Sequence, residues 1–329
     1  MKKVSMQDIA DRVGVSRCAV SLVLSGKAKS TRISEGLRRK IIDTAAEMNY
    51  TPNELARGLR TGQTKTIGVI VADISNEFFG ELVYHIQRRA MAYDYSVIIT
   101  NSNEDPDAML REIHLLVNRQ VDGIIMVPTN NSLHVANHIV SLSIPFVQVD
   151  RFLPGVDASY VILDNFDASS QLTEKLYRQG CRRIAMVRHE TSALNGRLEG
   201  YVKVMEEHGI YDSCLVKNID YSSEADDVCS AIDELFKEEV SIDALIFQSH
   251  ELFLLGISYI RTAGIDFKNR IKIATFDKIE AFALVDFPLT YVEQPIGEIG
   301  REVVDILISQ IKGSNEITQK VFKGSINEI

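Results

Sequence analysis

Apolar residues return every third or fourth position in three short stretches at the start of the chain. From Thr66 onward they gather instead into near-continuous runs separated by amphipathic ones. The first spacing is that of helices packed on one face, and the second is that of strands buried between helices. In SMQDIADRVGVSRCAVSLVLSG, residues 5–26, Ser5 with Asp8 opens a helix as a capping box, and Ile9, Ala10 and Val13 form its apolar stripe. Gly14 supplies the turn, because glycine alone takes a left-handed conformation at little cost. Ser16 caps a second helix in which Val20, Val23 and Leu24 face inward, leaving Arg17, Cys18, Ser21 and Leu22 nearer the outer face. Ser34 starts a third helix through Leu37, Ile41, Ala45 and Met48, which Asn49, Tyr50 and Pro52 end. This is the layout of a helix-turn-helix, whose second helix enters the major groove of DNA.

The segment 53–66, NELARGLRTGQTKT, can hold one or two helical turns from Asn53 through Leu59, but Gly58 weakens it. Isolated helices shorter than about 12–15 residues are marginal in water, so this one needs a partner surface to order it. Read without the neighbouring head, it is equally a plain linker with two arginines.

The larger part of the chain predicts nine strands. TIGVIV (66–71), YSVIIT (95–100), VDGIIMV (121–127), IPFVQVD (144–150) and YVIL (160–163) form one set. RRIAMV (182–187), DALIFQ (243–248), KIATFD (272–277) and LTYVEQ (289–294) form another. Alternation with helices divides them between two doubly wound parallel-sheet halves, so the fold class is a small all-α helix-turn-helix head plus an α/β core. The expected domains are 1–50 (head), 51–65 (hinge and linker) and 66–329 (core). Within the core, 66–163 with 294–320 forms one subdomain and 164–293 the other.

Ligands in such folds bind beyond the carboxyl ends of strands. Asp73, Phe78 and Phe79 follow the first strand, Asp150 ends the fourth, and Asp164 follows the fifth. Arg197 starts the helix after the sixth, His250 follows the seventh, Asp277 ends the eighth, and Gln294 follows the ninth. Carboxylates, an arginine and an amide with an aromatic face suit a polyol, which needs paired donors and acceptors plus a stacking surface.

Charge sharpens the division. Residues 1–65 hold 13 lysines and arginines against 6 acids, a balance of +7, whereas the whole chain carries 36 against 45, a balance of −9. The remaining 264 residues therefore hold −16, so a basic head sits on an acidic body. Lys27 and Lys29, in the KAKSTR loop, are placed to lie along phosphates. Cys18, Cys181, Cys214 and Cys229 show no ligand spacing and suit reduced thiols in a cytoplasm. No apolar run has the length of a membrane span, and no secretion signal opens the chain. Neither G-x-G-x-x-G after the first strand, nor a P-loop, nor a G-x-S-x-G elbow occurs, so no cofactor is expected. His134 and His138 stand four apart, a helical spacing that can grip a metal. With no third ligand or adjacent glutamate in sequence, no metal is expected there either.

The runs VGVSRCAVSLVLSG, NELARGLRTGQTKTIGVI, DISNEFF, VDGIIMVP, GRLEGY, TFD and YVEQP, in this order, resemble the lactose-repressor (LacI–GalR) family of bacterial transcription regulators. The resemblance implies a helix-turn-helix head, a hinge helix and a core similar to periplasmic sugar-binding proteins. It also implies a homodimer on near-palindromic double-stranded operator DNA, controlled by a small-molecule effector such as a sugar. By that resemblance the base-reading positions fall on Arg17, Cys18 and Leu22, the hinge lever falls on Leu59, and Ala56 sits beside it in the minor groove. With Ser16, Ser21, Lys27, Lys29, Asn53 and Arg57 these make the expected DNA contacts. The effector positions match Phe78, Phe79, Asp150, Arg197, Asp277 and Gln294. Leu22 stands where the family often has arginine or histidine, His250-Glu251 where it has Asn-Asp, and Glu77 where it has proline. The KAKSTR loop is a few residues longer than usual. The expected function is a repressor gated by an effector held between the core halves, and not an enzyme. A heptad tail is absent after VFKGSINEI, which favours a dimer over a tetramer. A transport receptor would share the core but needs a secretion signal and no basic head. A sugar-acting enzyme needs a paired acid and base or a metal.

Overall fold

Ser5 accepts a hydrogen bond from the Asp8 backbone amide (3.3 Å), and Asp8 Oδ2 accepts one from the Ser5 amide (2.7 Å), so the expected capping box is formed. In the computed structural model, which describes residues 4–24, 33–50, 63–190, 195–221, 223–237, 241–268 and 270–329, the chain divides into two compact units, Met1–Thr64 and Lys65–Ile329.

The first unit packs helices α1 (Met6–Val13), α2 (Arg17–Leu24) and α3 (Glu35–Glu47) around Ile9, Ala10, Val20 and Ile41. Gly14 closes α1 at φ 79°, the left-handed region that the turn requires. Ser16 Oγ accepts from the Ala19 amide at 3.2 Å, and Ser34 Oγ accepts from Leu37 at 3.4 Å, so both later helices start where serine caps them.

The second unit has two lobes, each built on a six-stranded sheet. The first sheet runs β11-β5-β4-β3-β1-β2, from β1 (Thr66–Val71), β2 (Ser96–Asn101), β3 (Gly123–Met126), β4 (Phe146–Asp150), β5 (Ser159–Leu163) and β11 (Gln319–Phe322), with every pairing parallel. The second repeats that order as β12-β10-β9-β8-β6-β7, from β6 (Ile184–His189), β7 (Val216–Ile219), β8 (Ala244–Phe247), β9 (Lys272–Phe276), β10 (Leu289–Glu293) and β12 (Ser325–Glu328). In both, the first strand of the lobe lies between its second and third, which places a crevice beyond the carboxyl ends there. Apolar clusters on the two faces of each sheet account for the continuous Val/Ile runs in the sequence.

Three strands were not among the nine expected. The strands β7 (VKNI), β11 (QKVF) and β12 (SINE) all lie at sheet edges, and Ile219 is their only buried residue. An edge strand with one covered face carries too little apolar signal to be seen in sequence. β12 also breaks the all-parallel expectation, since it pairs antiparallel with β10. The chain passes between lobes three times: after β5, after β10, and between β11 and β12. Gly324 lies at the last passage, where an added Cβ would come 2.9 Å from Val292 and 3.4 Å from Leu163. The second lobe therefore takes back residues 325–328, and the first lobe's share runs through Phe322 rather than 320.

Candidate functional site

On the outer face of the first unit, Ser16, Arg17 and Cys18 are exposed at the start of α2, with Ser21 and Leu22 half-buried one turn on. The inward residues Val20 and Val23 hold this helix against α1 and α3, so the row that includes Arg17 is presented by a packed support. The other expected DNA contacts, Lys27, Lys29, Asn53, Ala56, Arg57 and Leu59, lie outside the described residues.

In the second unit a cavity of about 300 Å³ opens between the lobes, at the carboxyl ends of both sheets. Arg197 on helix Asn195–Glu207 is nearly fully buried there. Its Nε donates to Asn165 Oδ1 at 2.7 Å and its Nη1 donates to the Gln248 carbonyl. The guanidinium lies 4.2 Å from the Phe276 ring centroid, and Asp277 Oδ2 lies 3.9 Å from Nη1. Gln294 Nε2 donates to Asp277 Oδ1 at 2.6 Å, so an arginine, a carboxylate and an amide form one fixed set. Facing them, Arg151 Nε donates to Asp150 Oδ2 at 3.1 Å, while its two terminal nitrogens grip Glu104 at 3.0 and 2.8 Å. Phe78 and Phe79, edge to face at 5.1 Å, give the apolar wall. At another edge His189 Nε2 lies 2.7 Å from Glu224 Oε1, with its ring stacked on Tyr221 at 3.9 Å.

Asp150 and Asp277 hold equivalent places at the ends of β4 and β9, and both have φ 67°. That left-handed turn is uncommon for a residue with a side chain, and aspartate is among the few that tolerate it. Their electrostatics nevertheless diverge. Burial would raise the Asp277 pKa, but Arg197 and His250 outweigh it and hold the carboxyl below the usual aspartate range. For Asp150, burial, reinforced by the like charge of Asp277, prevails over Arg151 and Arg197 and raises the pKa.

Sequence comparison identifies the two units. A family profile described as "Bacterial regulatory proteins, lacI family" matches residues 5–53, and one described as "Periplasmic binding proteins and sugar binding domain of LacI family" matches residues 64–323. The chain belongs to the lacI family. Catabolite control protein A of Priestia megaterium is 29% identical to this regulator over 309 residues, 92% of this chain and 91% of that protein. The HTH-type transcriptional repressor CytR of Escherichia coli (strain K12) is 28% identical over 318 residues, 94% and 91% of the two chains. The lac repressor dimer bound to operator and the anti-inducer ONPF superposes with a TM-score of 0.87 at 22% identity, covering 99% of this chain and 98% of that one. As a lacI-family member the protein is a DNA-binding transcription regulator rather than an enzyme.

Of the residues expected at the cleft of this regulator, Asp73, Phe78, Phe79, Asp150, Arg197, Asp277 and Gln294 line one cavity. Two do not. Asp164 accepts from the Asp167 amide at 3.0 Å and caps helix Asn165–Arg178, and it is Asn165 beside it that holds Arg197. His250 begins helix His250–Thr262 and lies behind Asp277, with Nδ1 3.7 Å from Oδ2; its neighbour Glu251 reaches the cavity. Burial opposes the protonation of His250, yet the Asp277 carboxylate raises its pKa above the ordinary value. Sequence reading missed Glu104, His189, Tyr221 and Glu224 as lining residues. The Asp150-Arg151 pair was the one available hint that a second carboxylate would be needed for Arg151. Among the described residues no group of three or more His, Cys, Asp or Glu side chains is arranged for a metal, and no helix is long and apolar enough to cross a membrane.

The raised pKa of Asp150 makes its charge a burden on the folded state. A carboxyl with a folded pKa above its unfolded value of about 3.9 destabilises as pH rises past that unfolded value. Asp150→Asn is therefore expected to raise the thermal midpoint at neutral pH, with the gain vanishing below about pH 3.9. Melting curves of both proteins across pH 3 to 7 check this, and a gain that persists undiminished at the acid end would refute it.

Proposed function

We propose that this regulator is a sequence-specific repressor acting as a cytoplasmic homodimer on near-palindromic operators, and that an uncharged sugar or sugar derivative in the cleft sets its affinity for DNA. Arg17, Cys18 and Leu22 read bases from the start of α2, with Ser16, Ser21, Lys27 and Lys29 positioning on phosphates. Residues 53–59 form the hinge, with Leu59 as its wedge. Binding between the lobes changes their angle, and by linkage operator DNA changes effector affinity by the same factor.

The Arg197–Asp277–Gln294 set carries this reading. It presents fixed donors and acceptors, with Phe78 and Phe79 beside it, which matches a sugar's hydroxyls and C–H face. The absence of charge follows from the arginines: Arg151 is already bound to Asp150 and Glu104, and Arg197 is oriented by Asn165, Gln248 and Asp277. Asp73, Glu224 and Glu251 add further carboxyls to the lining, so a phosphate or carboxylate on the ligand would meet like charge.

A thermal-shift screen of neutral sugars, sugar phosphates and nucleobases, followed by gel shift on operators selected from randomised DNA, tests both parts. A neutral sugar is expected to raise the midpoint and alter operator retention, while sugar phosphates do neither. A response confined to phosphates would reject the uncharged ligand. No preference for any duplex over random competitor would reject the repressor itself.

A further inference from the structure

The first lobe carries a pair of histidines that the cleft does not use. His114 lies on helix Pro106–Asn118 and His138 on helix Leu133–Ser141, and their Nε2 atoms approach to 3.1 Å, with ring centroids 5.1 Å apart and planes at 60°. His114 is exposed and His138 half-buried, so solvent ions reach the pair. The four-residue spacing of His134 and His138 is not what brings rings together. His134 directs Nδ1 to the Asn131 carbonyl at 3.2 Å, and the contact comes from a residue twenty-four positions earlier.

The separation has a chemical meaning. Metal–nitrogen bonds of about 2.0–2.1 Å place two imidazole ligands about 3.3 Å apart around a tetrahedral ion and about 2.9 Å apart around an octahedral one. The observed distance falls between these values. With one ring carrying its hydrogen on Nε2 the pair makes an N–H···N hydrogen bond; with both hydrogens on Nδ1 the two facing Nε2 lone pairs can instead bind one ion. Imidazole selects zinc, copper and nickel, whereas magnesium and calcium require oxygen.

We propose that His114 and His138 form a bidentate site for a divalent transition-metal ion of the zinc class, bridging the two helices on the first lobe. Water completes the coordination shell, since no third metal-donor side chain among the described residues joins them. Such a site is open and exchangeable, and it ties together two helices that are otherwise held by apolar packing in one cluster. Metal bound only by the folded pair stabilises that lobe through mass action.

Calorimetric titration of the full chain with zinc chloride, with thiols kept reduced, tests this. One saturable site is expected that His114→Gln and His138→Gln each weaken at least tenfold and that His134→Gln leaves unchanged, with magnesium chloride giving no heat of binding. Zinc should also raise the melting midpoint of the wild type and of His134→Gln but of neither ligand variant. Equal metal-free midpoints show that all the variants are folded. Wild-type affinity in either ligand variant, or no saturable uptake at millimolar zinc, would overturn the proposal.

Discussion

Replacing Arg197 with alanine is expected to abolish effector binding and to cost the core about 3–5 kcal/mol of stability. The loss exceeds that of a surface charge because Asp277 is nearly fully buried and relies on this guanidinium. Removing one partner of a buried pair leaves Asp277 with only His250 to offset its charge, and Asp150 in the same cavity adds like charge to the problem. Two hydrogen bonds to Asn165 and to the Gln248 carbonyl disappear as well. Urea denaturation measures the first effect, and calorimetry with the ligand found by screening measures the second. Adding Asp277→Asn should recover part of the stability, because the stranded charge goes with it, but should not restore binding. A single variant within about 1 kcal/mol of the wild type would show that Arg197 is not the counter-ion assigned here.

The second large effect lies just behind that arginine. Gly200 sits one turn after Arg197 on helix Asn195–Glu207, which packs closely on helix Asn165–Arg178. An added Cβ would come 2.3 Å from the Phe166 carbonyl oxygen and 2.9 Å from the Ser170 amide nitrogen. Both are backbone atoms, so no side chain can swing away, and the helices themselves must part. Gly200→Val is expected to destabilise the second lobe by about 3 kcal/mol, at the upper end of ordinary overpacking. Because the same helix delivers Arg197, the effector response should fall with stability. A chemical denaturation curve indistinguishable from the wild type would contradict this close approach.

How far the sequence revealed these features depends on whether their determinants are local. The helices of the head were legible because Ser5, Ser16 and Ser34 each cap a helix within three residues of themselves. Asp150, Asp277 and Gln294 were legible because an apolar run must stop at its carboxyl end, where such groups stand. Asp164 shows why that signal is ambiguous. An acid after a strand can face a ligand or cap the next helix, and only the helix amide at Asp167 decides. Glu104 and Tyr221 stand in turns and Glu224 opens helix Glu224–Leu235; they meet only where the two lobes face each other, and no spacing in the chain encodes that meeting. The strands β7, β11 and β12 escaped because their exposed, polar residues satisfy edges rather than a core.

The last dozen residues give each sheet one of its outer strands, joined by Gly324. During synthesis neither lobe can finish its hydrogen-bonded ladder until that tail has left the ribosome. A nascent chain stalled before residue 319 would therefore expose an unpaired rim on both halves at once.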